Sequence, residues 1–437
     1  MITVTSLKNF LNSCNASAEA TVFCADIGSS SLKAALITKN GAVLSFFQQS
    51  LNSSDKTKLS KQWLAAIIAA AKHFSRYKPT ICGICISGNG PTIVSEDGTT
   101  LLWNDELSEE FSNANVWKKG TKSLFIPRIL GFRNKFPEIW KKSKFIFSGP
   151  EYLIYMLTGK AVTILPEIRY IPAYWSSEEV EHFGIEKEKL PEFVPPAFNC
   201  GCTTKEITTD LYLEKPVPVF CGAPDFIVAL IGTNTLQPGK ICDRAGSSEG
   251  LNLCVDKHLS APQIRMLPSV IPGLWNASIL FPDSGKIFSS YKAEFEKKTG
   301  REISYQELVK LSLQDRNSCG YRIMLGLAEK TKTGLEILAQ ALAKANQDSE
   351  NPCSIEISDT VTVTGGQAKT EEWIAMKANI SGKTFEICSI PDSELSGDAA
   401  LGWLGLGIYK TIQEAASAVV TKGKIFKAKN GGHNDNL

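Results

Sequence analysis

An apolar run that ends in Asp26, followed at once by Gly28 and the hydroxyls of Ser29, Ser30 and Ser31, is the first place where this chain could do chemistry. The surrounding stretch, CADIGSSSLKAALI (24–37), predicts a β-hairpin whose first strand delivers one carboxylate to a turn rich in N–H and hydroxyl donors. Gly28 lets backbone approach a ligand closely, and the serines can donate to phosphate oxygens. Asp26 suits Mg²⁺, which sits between one or two carboxylates and substrate phosphates. An ordinary hairpin with a polar turn would carry the same residues. The stretch KICDRAGSSEGLNLCV (240–255) repeats the logic as strand, Gly-Ser-Ser turn and strand.

Two further stretches could contribute. In VTVTGGQAKTEEW (361–373) a β-branched strand stops at Gly365 and Gly366, and a helix is expected from near Thr370. Paired glycines there allow a flat purine to lie against backbone while the helix start favours phosphates. Asp225 sits in GAPDF, where an apolar strand and a Gly-Ala-Pro turn lead into an apolar helix. Its carboxylate could take the proton of an attacking hydroxyl, or simply cap the helix.

Other chemistries fail on spacing. Gly88-x-Gly90 follows a strand, but Ile93 stands where a dinucleotide turn needs its third glycine. No Walker lysine loop or G-x-S-x-G elbow occurs, and the four histidines are not paired at metal-ligand spacing. Cys82 and Cys85 lie in a strand-like run that would point them to opposite faces, and Cys200 and Cys202 flank a loop glycine. Zinc is possible there in principle, but buried structural thiols are the plainer expectation.

The elements that must position these residues belong to an α/β protein. Strands are expected at 21–26, 32–38 and 43–49, then a helix in KLSKQWLAAIIAAAKHF and a strand in TICGICIS ending at Ser87. EYLIYMLTGK predicts a helix stopped by Gly159, and PEFVPPAF an irregular segment. The second half is expected to be mostly helical over 289–345, to return to a strand at 360–364, and to end in helices around Trp373, Leu401 and Ile412. Two strand–turn–strand units, one heading each half, suggest related domains facing a shared nucleotide. A length of 437 residues also exceeds one hydrophobic core. The net charge of +2, without a basic stripe, argues against nucleic acid, and no apolar run reaches membrane-spanning length. The first residues do not read as a signal peptide, and the scattered twelve cysteines fit reduced thiols in a cytoplasm.

Taken in series, these motifs resemble the FGGY carbohydrate kinases, whose fold is that of the actin-like (ribonuclease H-like) ATPases. Asp26-x-Gly28-Ser29-Ser30-Ser31-x-Lys33 resembles the family's first phosphate motif, and Asp225 its catalytic aspartate. PGKICDRAGSSEG resembles the second phosphate loop, TGGQAKTEEW the adenosine motif, and SELSGDAALG the closing helix. EYLIYMLTGKAVT and LLWND (101–105) are similar to sugar-side segments of the xylulose kinase branch.

The resemblance implies two actin-like domains, 1–235 and 236–437, with a nucleotide cleft between them. It implies transfer of a phosphoryl group from ATP, with Mg²⁺, to a hydroxyl of a small sugar, xylulose or a similar ketopentose first. Ribulose, rhamnulose and glycerol-like acceptors stay open, as does a non-catalytic sugar- or nucleotide-binding protein on the same fold. Asp225 would be the base and Asp26 the metal-organising carboxylate. Gly28, Ser29, Ser30, Lys33, Gly246, Ser247, Ser248, Gly365, Gly366, Gln367 and Lys369 would hold the nucleotide. Asn89, Gly90, Trp103, Asn104, Asp105 and Phe226 would face the sugar. A homodimer is also compatible.

The chain departs from the family at several points. Gly90 and Pro91 replace a Met-His pair, and Arg128 and Gly131 fall on a Lys-x-x-Trp signature. Glu249 stands at a usually small position, where it could repel phosphate or bind metal.

Overall fold

The computed structural model describes residues 20–51, 56–246, 248–347 and 355–429. The chain divides into two compact units, Met1–Gly232 with Glu394–Val419, and Thr233–Ser393 with Val420–Leu437.

In the first unit, β1 (Thr21–Ile27), β2 (Ser31–Thr38) and β3 (Val43–Ser50) form an antiparallel meander. β4 (Ile81–Gly88) pairs parallel to β1, β6 (Pro218–Pro224) pairs parallel to β4, and β5 (Asn199–Cys202) closes the edge antiparallel to β6. The order is therefore β5-β6-β4-β1-β2-β3. β4 is buried at every position, because a central strand covered on both faces reads as a continuous apolar run. At the edge, β3 alternates in exposure.

Helix α1 (Leu59–His73) buries Leu59, Trp63, Ala66, Ile67, Ala70 and Ala71, one stripe at helical spacing, against this sheet. α2 (Ile126–Lys135) follows, then α3 (Gly149–Thr158). A Ser148–Glu151 capping box opens α3, and Gly159 in the left-handed conformation stops it, as expected.

The second unit repeats the topology. β7 (Ile241–Ala245), β8 (Glu249–Val255) and β10 (Trp275–Phe281) form the meander, extended by β9 (Arg265–Pro268). β11 (Thr360–Thr364) and β12 (Thr384–Cys388) add in parallel, and β13 (Lys422–Phe426) closes antiparallel. An antiparallel meander, two parallel strands and an antiparallel edge occur in the same sequence in both sheets. The strand–turn–strand recurrence seen in the sequence is thus the start of a repeated domain.

Between the sheets in chain order lies α4 (Asp225–Gly232), and the helical stretch of the second unit comprises α5 (Ser284–Thr299), α6 (Tyr305–Gln314) and α7 (Cys319–Gln347). α8 (Glu371–Ser381) follows β11, and α9 (Ser393–Gly405) and α10 (Ile412–Val419) return the chain to the first unit. There Trp403 Nε1 donates to the Ile37 carbonyl at 3.2 Å, and Tyr409 donates its hydroxyl to the Lys39 carbonyl at 2.7 Å.

Two expectations need correction. Gly222, Ala223 and Pro224 are not a turn but the bulged end of β6, which keeps its pairing through Pro224 opposite Gly88. The segment expected to be irregular contains the short strand Phe193–Val194, paired with Thr163–Ile164.

Candidate active site

Three parallel strands of the first unit, β1, β4 and β6, end abreast. Ile27 and Pro224 are both register partners of Gly88. Sites in sheets of this kind form beyond the carboxyl ends of parallel strands. Asp26, Asn89 and Asp225 each lie within one residue of those ends.

Asp26 is half-buried, with Lys33 of β2 opposite on one side and Ser87 of β4 on the other. The turn after it is built by the core. Trp63 of α1 donates its indole N–H to the Gly28 carbonyl at 3.0 Å, and the Gly28 N–H donates to the Ser31 carbonyl at 2.9 Å. A Cβ on Gly28 would stand 2.9 Å from the Ser31 oxygen, so the turn closes only around glycine.

Asp225 begins α4, and the Phe226 N–H donates to its Oδ1 at 2.6 Å. That contact to the next N–H engages one oxygen of the carboxylate that would also serve as a base. Phe226 itself is half-buried.

Asn89 is only 7% exposed, and neither its Nδ2 nor its Oδ1 has a hydrogen-bond partner among the described residues. A buried amide with both ends unmet costs stability and marks a place shaped for a ligand's hydroxyls. Gly90 has open space where a side chain would stand.

The 101–105 stretch is tied to this region through Thr92, whose Oγ1 accepts from the Trp103 N–H at 3.1 Å. Trp103 is 46% exposed, which excludes a core role and leaves its face available. Asn104 is exposed, whereas Asp105 Oδ2 turns back to accept from the Leu102 N–H at 2.9 Å. Arg128 holds the same turn by donating to the carbonyls of Leu102, at 3.2 Å, and Asp105. Gly131, on the other broken signature position, packs so close under Leu107 that a Cβ would stand 2.5 Å from its Cδ2. A larger residue there would have to displace the Leu107 side chain.

One residue escaped the sequence reading. Asp398 of α9 is fully buried and accepts the Ser87 hydroxyl on Oδ2 at 2.8 Å, one strand over from Asp26. Burial pushes its carboxyl well above the usual range, and the charge of Asp26 adds to this. The signal was an acid in the apolar interior of a helix sequence, SELSGDAALGWLG, one turn after Glu394.

In the second unit the turn after β7 and the turn after β11 press together. Gly365 has φ +92°, and a Cβ there would stand 2.7 Å from the Ala245 carbonyl oxygen, so only glycine fits on both counts. Gly246 donates its N–H to the Ser248 carbonyl at 3.0 Å, while Ser247 lies outside the described residues. Gly246, Gly366 and Gln367 line a cavity of about 290 Å³ together with Phe288, Tyr305 and Trp373. Lys369 is ion-paired to Asp392 at 2.9 Å.

Glu249 neither faces phosphate nor offers itself to a metal. It is 1% exposed, with Oε1 accepting from Lys377 Nζ at 2.9 Å and from Thr331 Oγ1 at 2.8 Å. Its Oε2 accepts from Gln367 Nε2 at 3.0 Å. Lys377, also fully buried, reaches Asp243 Oδ2 at 2.7 Å. Burial and Glu249 push the Asp243 carboxyl up to about 7 against the pull of Lys377. Burial opposes the Lys377 charge, but the two carboxylates override it and raise its pKa.

Among the described residues no group of three or more His, Cys, Asp or Glu could hold a metal by itself. The available donor set is single carboxylates, which fits Mg²⁺ held by one protein oxygen, waters and phosphates better than an all-protein cage. The ten cysteines among the described residues are all free thiols. No helix of the described residues is long and apolar enough to cross a membrane.

The model of the FGGY family of carbohydrate kinases, N-terminal domain, matches residues 21–232. Over residues 21–232 this chain belongs to that family. A xylulose kinase of Lactococcus lactis is 24% identical over 319 residues, covering 65% of this chain and 62% of that protein. One from Staphylococcus epidermidis is 21% identical over 470 residues, 93% of this chain and 92% of that protein. A gluconokinase of Bacillus subtilis is 21% identical over 53% of this chain and 51% of its own length. The chain thus spans less than two thirds of some of the curated relatives it matches and nearly the whole of others.

Among solved structures, a ligand-bound xylulose kinase from Lactobacillus acidophilus matches with a TM-score of 0.71 at 16% identity, covering 94% of both chains. Plasmodium falciparum glycerol kinase with ADP matches with a TM-score of 0.70 at 15% identity, again covering 94% of both. At these identities the structural likeness establishes the fold, an α/β architecture of two actin-like domains.

Proposed function

We propose that this FGGY-family chain transfers the γ-phosphoryl group of ATP to a hydroxyl of a small sugar, with xylulose or a similar ketopentose as the acceptor. The observation that carries the reading is the convergence of Asp26, Asn89 and Asp225 at the ends of three adjacent parallel strands. Asp225 accepts the proton of the attacking hydroxyl as the new O–P bond forms and ADP leaves. Asn89, with Trp103 and Asn104 nearby in the chain's fold, orients the acceptor through its unmet amide. Asp26 is the residue that would hold Mg²⁺, which when bound neutralises charge on the phosphates. The turn of Gly28, Ser29 and Ser30 in the first unit grips the phosphate chain. In the second, Gly246 and Ser248 do the same, and the cavity beside Gly366 and Gln367 takes the adenosine. Lys33 and Lys369 are charged neighbours of those two turns.

The xylulose assignment is supported by the names of the relatives and by the 101–105 and 151–163 segments. The Gly90-Pro91 substitution leaves gluconate, other ketoses and polyols as the alternatives to be tested. Glu249, buried against Lys377, no longer argues for a non-catalytic protein. Ten free thiols suit a reducing cytoplasm.

The test is ADP release from Mg²⁺-ATP against a panel of ketoses, aldoses, sugar acids and polyols, with Asp225→Asn run in parallel. Sugar-dependent turnover that Asp225→Asn lowers by about 10²-fold or more is expected. Nucleotide binding with no stimulation by any acceptor would replace the kinase by a binding protein.

A further inference from the structure

Gln367 enters the second unit's cavity wall from a short turn, and its amide has two chemically opposite ends. Which end is left without a partner is decided by Glu249. A carboxylate only accepts hydrogen bonds, so the amide must present Nε2 to Glu249, as it does at 3.0 Å. Oε1 is then left buried and without a partner among the described residues. Glu249 cannot turn away, because Lys377 and Thr331 hold its other oxygen from two different helices.

The wall also carries the rings of Phe288, Tyr305 and Trp373, with Val309, Ser289 and Thr370 beside them. Trp373 is 3% exposed, and its Nε1–H likewise lacks a partner among the described residues. A slot whose wall residues carry one unmet acceptor and one unmet donor suits a flat heteroaromatic ring that carries an amine and a ring nitrogen. Adenine offers that combination. A 6-oxopurine would set its carbonyl against Gln367 Oε1.

We propose that Glu249, locked by Lys377, is a positioning residue that turns the Gln367 amide so that its carbonyl oxygen selects an amino-purine over a 6-oxopurine. This rests on the nucleotide reading given above. It also explains why an acid sits directly after the phosphate-type turn at 246–248. Its work is on the base, one hydrogen bond removed, and not on phosphate.

Calorimetric titration with ADP and IDP, which differ at the purine 6-position, tests the proposal in the native protein, Glu249→Gln and Gln367→Met. The native protein should favour ADP by about tenfold or more, the worth of one satisfied against one opposed polar contact. Glu249→Gln frees the Gln367 amide to flip, and should bring the ratio to about threefold or less. In the same variant KM for ATP should rise several-fold while kcat falls by less than about threefold, a split that general loosening would not give.

Gln367→Met leaves the buried ion cluster in place and should also lose the discrimination. If a folded Glu249→Gln keeps the native ADP-to-IDP ratio, the positioning role is overturned. If Glu249→Gln does not fold, an unchanged ratio in Gln367→Met overturns the proposal instead. A native protein that binds neither nucleotide would overturn the kinase reading itself, an outcome distinct from binding both equally.

Discussion

Ser87 donates its hydroxyl to Asp398 at 2.8 Å, across 311 residues of sequence, with both side chains fully buried. The contact places a buried carboxyl beside the strand end that carries Asp26. Burial raises the Asp398 pKa well above the value of an unfolded chain, and Asp26 raises it further. The stability this group contributes is therefore full below the unfolded carboxyl pKa, about 4, and is lost as pH rises toward the folded value. Asp398→Asn keeps the shape and removes that loss. Its Tm should exceed the native one at pH 7–8 by roughly 2 °C or more, and the advantage should shrink toward pH 4. Parallel Tm-against-pH curves for the two proteins would rule the assignment out.

Lys377 is ion-paired to two buried carboxylates, Asp243 and Glu249. Removing one partner of such a cluster strands the remaining charges, so Lys377→Met should cost about 3–5 kcal/mol. Adding Asp243→Asn and Glu249→Gln to the same protein should recover part of the loss. Denaturant midpoints of the single and triple variants measure both effects, and a single variant as stable as the native protein would remove the cluster from the account.

Gly365 is held at φ +92° against the Ala245 carbonyl. Gly365→Ala has to move backbone on one side or the other, so it should cost about 1–3 kcal/mol. Because the two turns it separates both border the cavity, ADP affinity should fall in the same variant. Thermal shift with and without ADP reads both quantities. A stable variant with native affinity would show that the turns are not pressed together.

Arg128 fixes the 102–105 turn through two main-chain carbonyls. Arg128→Ala should free that turn, raising the sugar KM about tenfold while leaving the KM for ATP within about twofold. A parallel rise in both constants would mean that Arg128 acts on global stability instead of on the acceptor side.

The parts of this protein that were legible in its sequence are those written in adjacent residues. The hairpin at Asp26, its repeat at 240–255, the strand Thr360–Thr364 and the α3 stop at Gly159 all follow from local pattern and turn chemistry. What escaped depends on distant partners. Glu249 reads as a misplaced charge until Lys377, 128 residues on, is seen against it. Asp398 reads as a polar interruption until Ser87 meets it. The Gly222, Ala223 and Pro224 run has turn composition, yet pairing with β4 makes it strand. Periodicity shows which face of a segment is apolar but not which other segment covers it.

Residues 394–419 belong to the same unit as residues up to 232, and that placement has a consequence for synthesis. On the ribosome the first unit emerges early without the 394–419 segment that supplies Asp398, Trp403 and Tyr409. Ser87, the Ile37 carbonyl and the Lys39 carbonyl wait for their partners until more than 150 further residues have been made, as the span from Gly232 to Glu394 requires. Residues 233–393 of the second unit are translated inside that interval, and its edge strand β13 follows only after α10. Most of the second unit is therefore made while the nascent first unit is incomplete, and α9 afterwards seals β2 and β4.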